Sequence, residues 1–196
     1  MTFFDSMEQS FSTIPLPNGE ISTNEFLAAS ESLVKLFDLL GSSAFSVVQS
    51  DMNGNISKVR TKYLSEPDKC ATLQQLILTE VSQGKKTATQ GLLWLTRGLQ
   101  FTCNAIQKLL ANEDWELSKC FEKSYSETLS KFHSFVVKPV FKLAMKACPY
   151  KKDFIAKLGE PTEKVMEQMK EWVDGLDKIV SDIMQFFESG NYGKGL

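Results

Sequence analysis

The chain has 196 residues, of which 42% are hydrophobic and 23% charged, with a formal net charge of −2; this composition fits one globular domain (1–196) with its own core and excludes a disordered or fibrous chain. Lysines and arginines are scattered among acids, so there is no basic field for nucleic acid. The opening "MTFFDSMEQSF" has neither the basic start nor the apolar stretch of a secretory signal, and no apolar run reaches the roughly 18 residues of a membrane helix, so a cytoplasmic protein is expected.

In chain order, Ser22-Thr23-Asn24-Glu25 has the pattern of a capping box, with a hydroxyl for an early backbone N–H and a carboxylate reaching back. It opens a helix carrying Phe26, Leu27, Leu33, Leu36, Phe37, Leu39 and Leu40, and Gly41 ends it. Residues 43–49, "SAFSVVQ", have some β character but are too short and isolated to define a sheet. A second helix is expected over residues 67–81, with Leu73, Leu76, Ile77 and Val81 on one face and Gly84 just beyond. Thr87-Ala88-Thr89-Gln90 is a further capping box. It leads into "GLLWLTRGLQFTCNAIQKLL", whose apolar residues spread around more than one face, as in a helix buried on several sides.

Residues 115–147 continue the helical pattern, kinked or divided by Pro139 and closed by Pro149. From Pro161 onward, Val165, Met169, Trp172, Val173, Leu176, Ile179, Val180, Ile183 and Phe187 recur every three or four residues, predicting a long amphipathic helix that ends near Gly190. The pattern is all-α.

Several chemistries fail on spacing. His133 is the single histidine, and Cys70, Cys103, Cys120 and Cys148 form no C-x-x-C pair, so no zinc site is expected and the thiols read as structural. "DMNGNISKVRTK" begins like a calcium loop, but Gly54 stands too early and Lys62 occupies the position that needs a bidentate carboxylate. "TEVSQGKKT" lacks the first glycine of a phosphate loop. A glycosidase using Asp51 and a second carboxylate stays open, because such pairs are assembled in space. Asn55-Ile56-Ser57 is formally a glycosylation acceptor and should stay bare in the cytoplasm.

Asp51, Asn55 and Lys58 stand at i, i+4 and i+7 and would share one face if this stretch is helical. Such a set offers directional donors and acceptors suited to sugar hydroxyls and an amide. The plainer reading is a helix cap at Asp51, a loop Asn55 and a solvated Lys58, and Gly54 weakens the helix. The 14 Phe outnumber the 4 Tyr and 3 Trp together, pointing to large apolar surfaces that belong either to an ordinary core or to a lipid pocket.

From about Phe26 to the C-terminus the chain resembles the glycolipid transfer proteins. The family's head-group motif D-x-x-x-N-x-x-K is matched by Asp51, Asn55 and Lys58, its sugar-stacking tryptophan by Trp94 in "LLWLTRGLQF", and its ceramide-contacting histidine by His133 in "KFHSFVVKPVF". "ACPYKKDF" is a further family-like stretch, while "SAFSVVQSDMNGNISKVR" and "TCNAIQKLL" are most similar to fungal members of the heterokaryon-incompatibility type.

The resemblance implies a two-layer helical sandwich enclosing a hydrophobic lipid pocket. It also implies non-enzymatic transfer of glycosphingolipids such as glucosylceramide, galactosylceramide or lactosylceramide, by a monomer without metal or cofactor that contacts membranes transiently. Asp51 would accept from the ceramide amide, Asn55 and Lys58 would bond the first sugar, Trp94 would stack on it, and His133 would donate to the ceramide carbonyl. Phe37, Leu40, Val48, Phe101, Leu129, Phe141 and Phe154 match positions lining the hydrocarbon pocket, although each also reads as core from pattern alone.

Two departures touch the membrane contact. Phe135 stands where the family has an inserting tryptophan, and Pro139 replaces a lysine of animal members, with Lys138 beside it. Phe135 and Lys138 are the expected docking residues, Lys142 and Lys146 are available to lipid phosphates, and Tyr192 resembles a C-terminal tyrosine that reaches the site in some members. Two alternatives accompany this reading. One is a glycolipid sensor or scaffold; the other is a ceramide phosphate carrier of the same superfamily, whose pattern has Lys in place of Asn55 and Arg in place of Trp94.

Overall fold

The computed structural model describes residues 1–196 and contains eight α-helices and no strand: α1 Thr23–Leu36, α2 Ser46–Ser65, α3 Leu73–Ser82, α4 Thr87–Ala111, α5 Leu117–Glu127, α6 Val137–Lys146, α7 Lys151–Leu158 and α8 Thr162–Ser189. α4 is the shared element. It packs against α2, α3, α5 and α8, while α1 lies on α2, α6 on α5 and α7 on α8. The result is the expected two-layer, all-helical architecture around one continuous apolar core.

α8 follows its sequence pattern fully: all nine apolar residues named for it are buried. Gly175 on this helix lets the N-terminal segment approach, since a Cβ there would lie 2.5 Å from the backbone of Ser12. Phe11 of that segment is buried between Phe26 and Trp172, with ring centroids 6.4 and 6.1 Å away. α1 runs on into a 3-10 turn at Phe37–Leu40, which ends at Gly41 with φ +68°, a left-handed conformation that glycine adopts without cost.

The capping expectations need correction. The Ser22 hydroxyl bonds to the Glu25 carboxylate and caps no backbone N–H. Nor does Thr87 cap α4. The buried Glu80 of α3 accepts from the backbone N–H groups of Ala88 and Thr89 at 3.1 and 2.7 Å and from the Thr89 hydroxyl at 2.9 Å, so a carboxylate from a neighbouring helix supplies the cap.

The expected helix over 67–81 starts later, because Pro67–Lys69 form a 3-10 turn and Thr72 caps α3 by accepting from the N–H of Gln75. Leu73, Leu76 and Ile77 are buried, but Val81 is 51% exposed and does not share their face. Residues 43–49 show no β structure; they make a 3-10 turn and the start of α2. Pro139 falls in the first turn of α6, where its missing N–H leaves no bond unmade, so the chain divides before it instead of kinking at it.

α7 begins within the "ACPYKKDF" stretch. The Lys151 ammonium donates to the carbonyls of Leu109, Asn112 and Glu113 at 3.2, 3.0 and 3.0 Å, tying α7 to the end of α4. This stretch is therefore a structural clasp.

Candidate ligand-binding cleft

The stretch "DMNGNISKVR" is the middle of α2. Asp51 lies well inside the helix and is not its cap, and Asn55 is helical and only 4% exposed. Gly54 is tolerated on the outer face, where a Cβ would meet nothing within 4 Å. The i, i+4, i+7 spacing therefore forms one stripe. Asn55 donates to Asp51 at 3.5 Å and accepts from the Lys58 ammonium at 3.2 Å, so the three side chains form a linked polar row.

This row borders a cleft of about 530 Å³. α2 provides Val47, Asp51, Asn55 and Lys58; α4 provides Gln90 and Trp94, one turn apart; Phe132, His133 and Ser134 come from the segment before α6, and Val137 and Phe141 from α6 itself. The five residues expected at a head-group site thus line one cavity. Gly91 sets the spacing between its walls, because a Cβ there would lie 2.9 Å from Cβ of Lys58 and 3.2 Å from the carbonyl oxygen of Asn55.

Trp94 and His133 have nearly parallel rings, 10° apart in plane with centroids 6.2 Å apart. Arg97, one turn along α4, lies 3.8 Å over the Phe132 ring and 4.7 Å over Trp94, bracing both. His133 Nδ1 meets the Tyr125 hydroxyl at 3.0 Å, and its ring sits 4.5 Å from Phe141. Gln90, Arg97, Phe132 and Tyr125 were not anticipated as site residues. The sequence signal for Gln90 and Arg97 was their placement one turn either side of Trp94.

Burial shapes the charges. Desolvation lowers the His133 pKa, with Asp51 pulling it back up and Lys138 adding to the fall; burial thus favours the neutral imidazole, which has one donor and one acceptor nitrogen. Desolvation also raises the Asp51 pKa, against the opposing pull of His133 and Lys58. Asp51 keeps an exposed edge, but the atoms crowding its carboxylate govern the direction of the shift.

From the cleft an unbroken file of aromatic rings leads inward. His133 touches Phe141, Phe141 lies 6.4 Å from Phe101, Phe101 lies 5.4 Å from Phe121, Phe121 lies 6.4 Å from Phe45, and Phe45 lies 5.8 Å from Phe37. Phe37, Leu40, Val48, Phe101, Leu129, Phe141 and Phe154 are all buried in this core. The rings pack on one another, so long guests would have to part them.

Phe135 is 85% exposed and follows Ser134 of the cleft directly in sequence. Val136, Val140 and Leu143 are also exposed and stand at i, i+4 and i+7, extending an apolar stripe along α6. Lys138 is exposed on the same helix. Tyr192 does not line the cleft; it stacks on Phe186 at 5.2 Å against the end of α8.

Residues 21–160 match the family model described as glycolipid transfer protein (GLTP). A glycolipid transfer protein of Aureobasidium melanogenum is 47% identical over 188 residues, covering 96% of this chain and 94% of that protein. The crystal structure of HET-C2, a fungal glycolipid transfer protein, superposes with a TM-score of 0.92 at 47% identity, covering 95% of this chain and 97% of that one. A structure describing how FAPP2 selects simple glycosphingolipids using the GLTP fold gives a TM-score of 0.89 at 31% identity, over 98% and 97% of the two chains. Mouse ceramide-1-phosphate transfer protein, with a TM-score of 0.87 at 20% identity over 98% of each chain, shares the fold alone.

Proposed function

The chain belongs to the glycolipid transfer protein family, and from that premise we propose that its cleft grips the sugar-amide head of a glycosphingolipid while the ceramide chains enter the aromatic interior. Its function is glycolipid transfer. The observation that carries the finer reading is the convergence of Asp51, Asn55, Lys58, Trp94 and His133 on one cavity at the head of the aromatic file. A sugar has an apolar C–H face and a rim of hydroxyls. Trp94 offers a flat surface to the face, and the linked Asn55 and Lys58 offer donors and acceptors to the rim.

The ceramide amide sits between head and tails, where Asp51 would accept from its N–H and His133 would donate to its carbonyl. Two hydrocarbon chains expose about thirty methylenes, each costing roughly 0.8 kcal/mol in water. Burial of the chains among the parted phenylalanines offsets that cost. No bond is broken, and the lipid leaves as it entered. Neutral Asn55 and Trp94 favour a sugar over a phosphate monoester, which calls for cations at such positions.

Delivery requires contact with a bilayer. No helix is long and apolar enough to cross a membrane, so docking falls to exposed Phe135 with Val136, Val140 and Leu143, inserted shallowly at a cytosolic membrane face, with Lys138 at headgroup level.

The test is transfer of fluorescent glucosylceramide between vesicles. Trp94→Ala and Asp51→Val should each lower the rate about tenfold or more while the circular dichroism stays helical. Normal rates in both variants would overturn this site, and release of free sugar on incubation would overturn the carrier reading in favour of a glycosidase.

A further inference from the structure

α6 separates its exposed residues by kind. Val136, Val140 and Leu143 form the apolar stripe, and Lys138, Lys142 and Lys146, at i, i+4 and i+8, form a second stripe between it and the buried face of Phe141, Ala144 and Met145. The lysines face α5. With Ser126, Ser130, Tyr125 and Glu122 they border a second cleft, of about 510 Å³, separate from the one that holds Trp94. None of the seven ion pairs in the protein uses any of the three lysines. Glu122 brings one carboxylate against three ammonium groups.

This concentration of cations is local, since the whole chain carries a net charge of −2. A diffuse field would repel an anionic surface, whereas three free ammonium groups in one concavity attract a single anionic group. Position narrows the source. When the apolar stripe enters the acyl boundary, the neighbouring stripe stands at the depth of the lipid phosphates. We propose that the α5–α6 cleft is a second lipid site, which holds the headgroup of an anionic phospholipid of the docked membrane and so directs the carrier to anionic bilayers. This rests on the docking reading of α6 given above.

Tyr125 joins the two clefts. It borders the lysine cleft, and its hydroxyl meets His133 in the other. Lys138 likewise borders the lysine cleft and acts electrostatically on His133. An occupied headgroup site therefore lies against the residues that hold the ceramide amide.

The experiment uses the full chain and co-flotation with vesicles of phosphatidylcholine alone or mixed with phosphatidylserine. The intact protein should partition more strongly to the mixed vesicles, and the difference should fade with salt. Lys142→Gln and Lys146→Gln should each reduce partitioning to mixed vesicles about fivefold, leaving neutral-vesicle partitioning and binding of detergent-dispersed glycolipid unchanged. Lys170→Gln on α8 removes the same charge elsewhere and should change nothing. Equal losses in all three variants would mean a diffuse field and would overturn the site, as would an intact protein with no preference for mixed vesicles. Failure of the docking reading itself looks different: Phe135→Ala would then leave neutral-vesicle partitioning unchanged.

Discussion

The Tyr125 hydroxyl and His133 Nδ1 lie 3.0 Å apart, and this contact determines which ring nitrogen is free to face a ligand. Burial favours the neutral imidazole. In the tautomer where Tyr125 donates to Nδ1, the proton resides on Nε2, the donor proposed for a ceramide carbonyl. Tyr125→Phe keeps the ring that stacks on Phe141 at 5.3 Å but removes the hydroxyl. Glycolipid affinity should fall about fivefold, a net loss of ~1 kcal/mol, and nitrogen NMR should show His133 shifting toward a mixture of tautomers. An unchanged tautomer would show that Tyr125 does not set it.

Desolvation of Asp51 sets folding stability against its proposed role in binding. Its pKa in the fold is raised above the ordinary 3.8 by desolvation, so the folded state takes up a proton at a higher pH than the unfolded state. The carboxylate therefore costs stability at neutral pH, and that cost is relieved as pH falls through the folded pKa toward 3.8. Asp51→Asn should raise the melting temperature at pH 7 and flatten this part of the pH profile. Glycosylceramide binding should weaken about tenfold or more, because the ceramide amide loses a charged acceptor. A lower melting temperature would show that Asp51 is chiefly a structural partner of Asn55.

The overall architecture was legible because helix periodicity survives burial. In α8 the three-and-four spacing identifies one face, and that face is the buried one. "DMNGNISKVR" reads like a turn because its composition is turn-like, but packing of Met52, Ile56 and Val59 against the core overrides propensity. The caps failed for a different reason. Glu80 approaches the start of α4 from another helix, and local sequence cannot reveal a contact made in space. The linear motif revealed Asp51, Asn55 and Lys58 because they share one helix, whereas Tyr125 and Gly91 owe their roles to neighbours on other elements.

Gly91 is the second such position. An added methyl would fall 2.9 Å from Cβ of Lys58, an atom fixed to the α2 backbone and unable to swing aside. Gly91→Ala should force α2 and α4 apart at the cleft and cost about 1–3 kcal/mol, despite the higher helix propensity of alanine. Head-group binding should weaken with it. A variant as stable as the parent, with unchanged binding, would mean that the two helices adjust freely.

Phe135 and Phe101 separate membrane contact from core packing. Phe135 is 85% exposed and Phe101 1% exposed. Phe135→Ala should leave melting temperature and detergent-dispersed glycolipid binding intact while vesicle partitioning and transfer rate fall together. Phe101→Ala should cost about 3–5 kcal/mol of folding free energy. Loss of stability on changing Phe135 would show that its ring is packed in solution and would remove it as an anchor.

Head-group choice can be tested by changing the charge of the cleft. Asn55 accepts from the Lys58 ammonium at 3.2 Å, and Trp94 already carries the Arg97 guanidinium over its ring. Asn55→Lys with Trp94→Arg removes the sugar platform and sets two new cations beside existing ones, with Asp51 the sole carboxylate lining the cleft. The free double variant should therefore melt below the parent, because like charges are held together in a partly desolvated space. A phosphate monoester would supply the missing anion and several acceptors at once. Ceramide phosphate should raise the variant's melting temperature in proportion to the logarithm of its concentration, while glycosylceramide affinity falls about tenfold or more. Both halves are required, since specificity is a difference between two affinities. If the variant still prefers glycosylceramide, head-group choice lies outside Asn55 and Trp94, and Gln90 and Ser134, the other polar side chains of the cleft, become the residues to change.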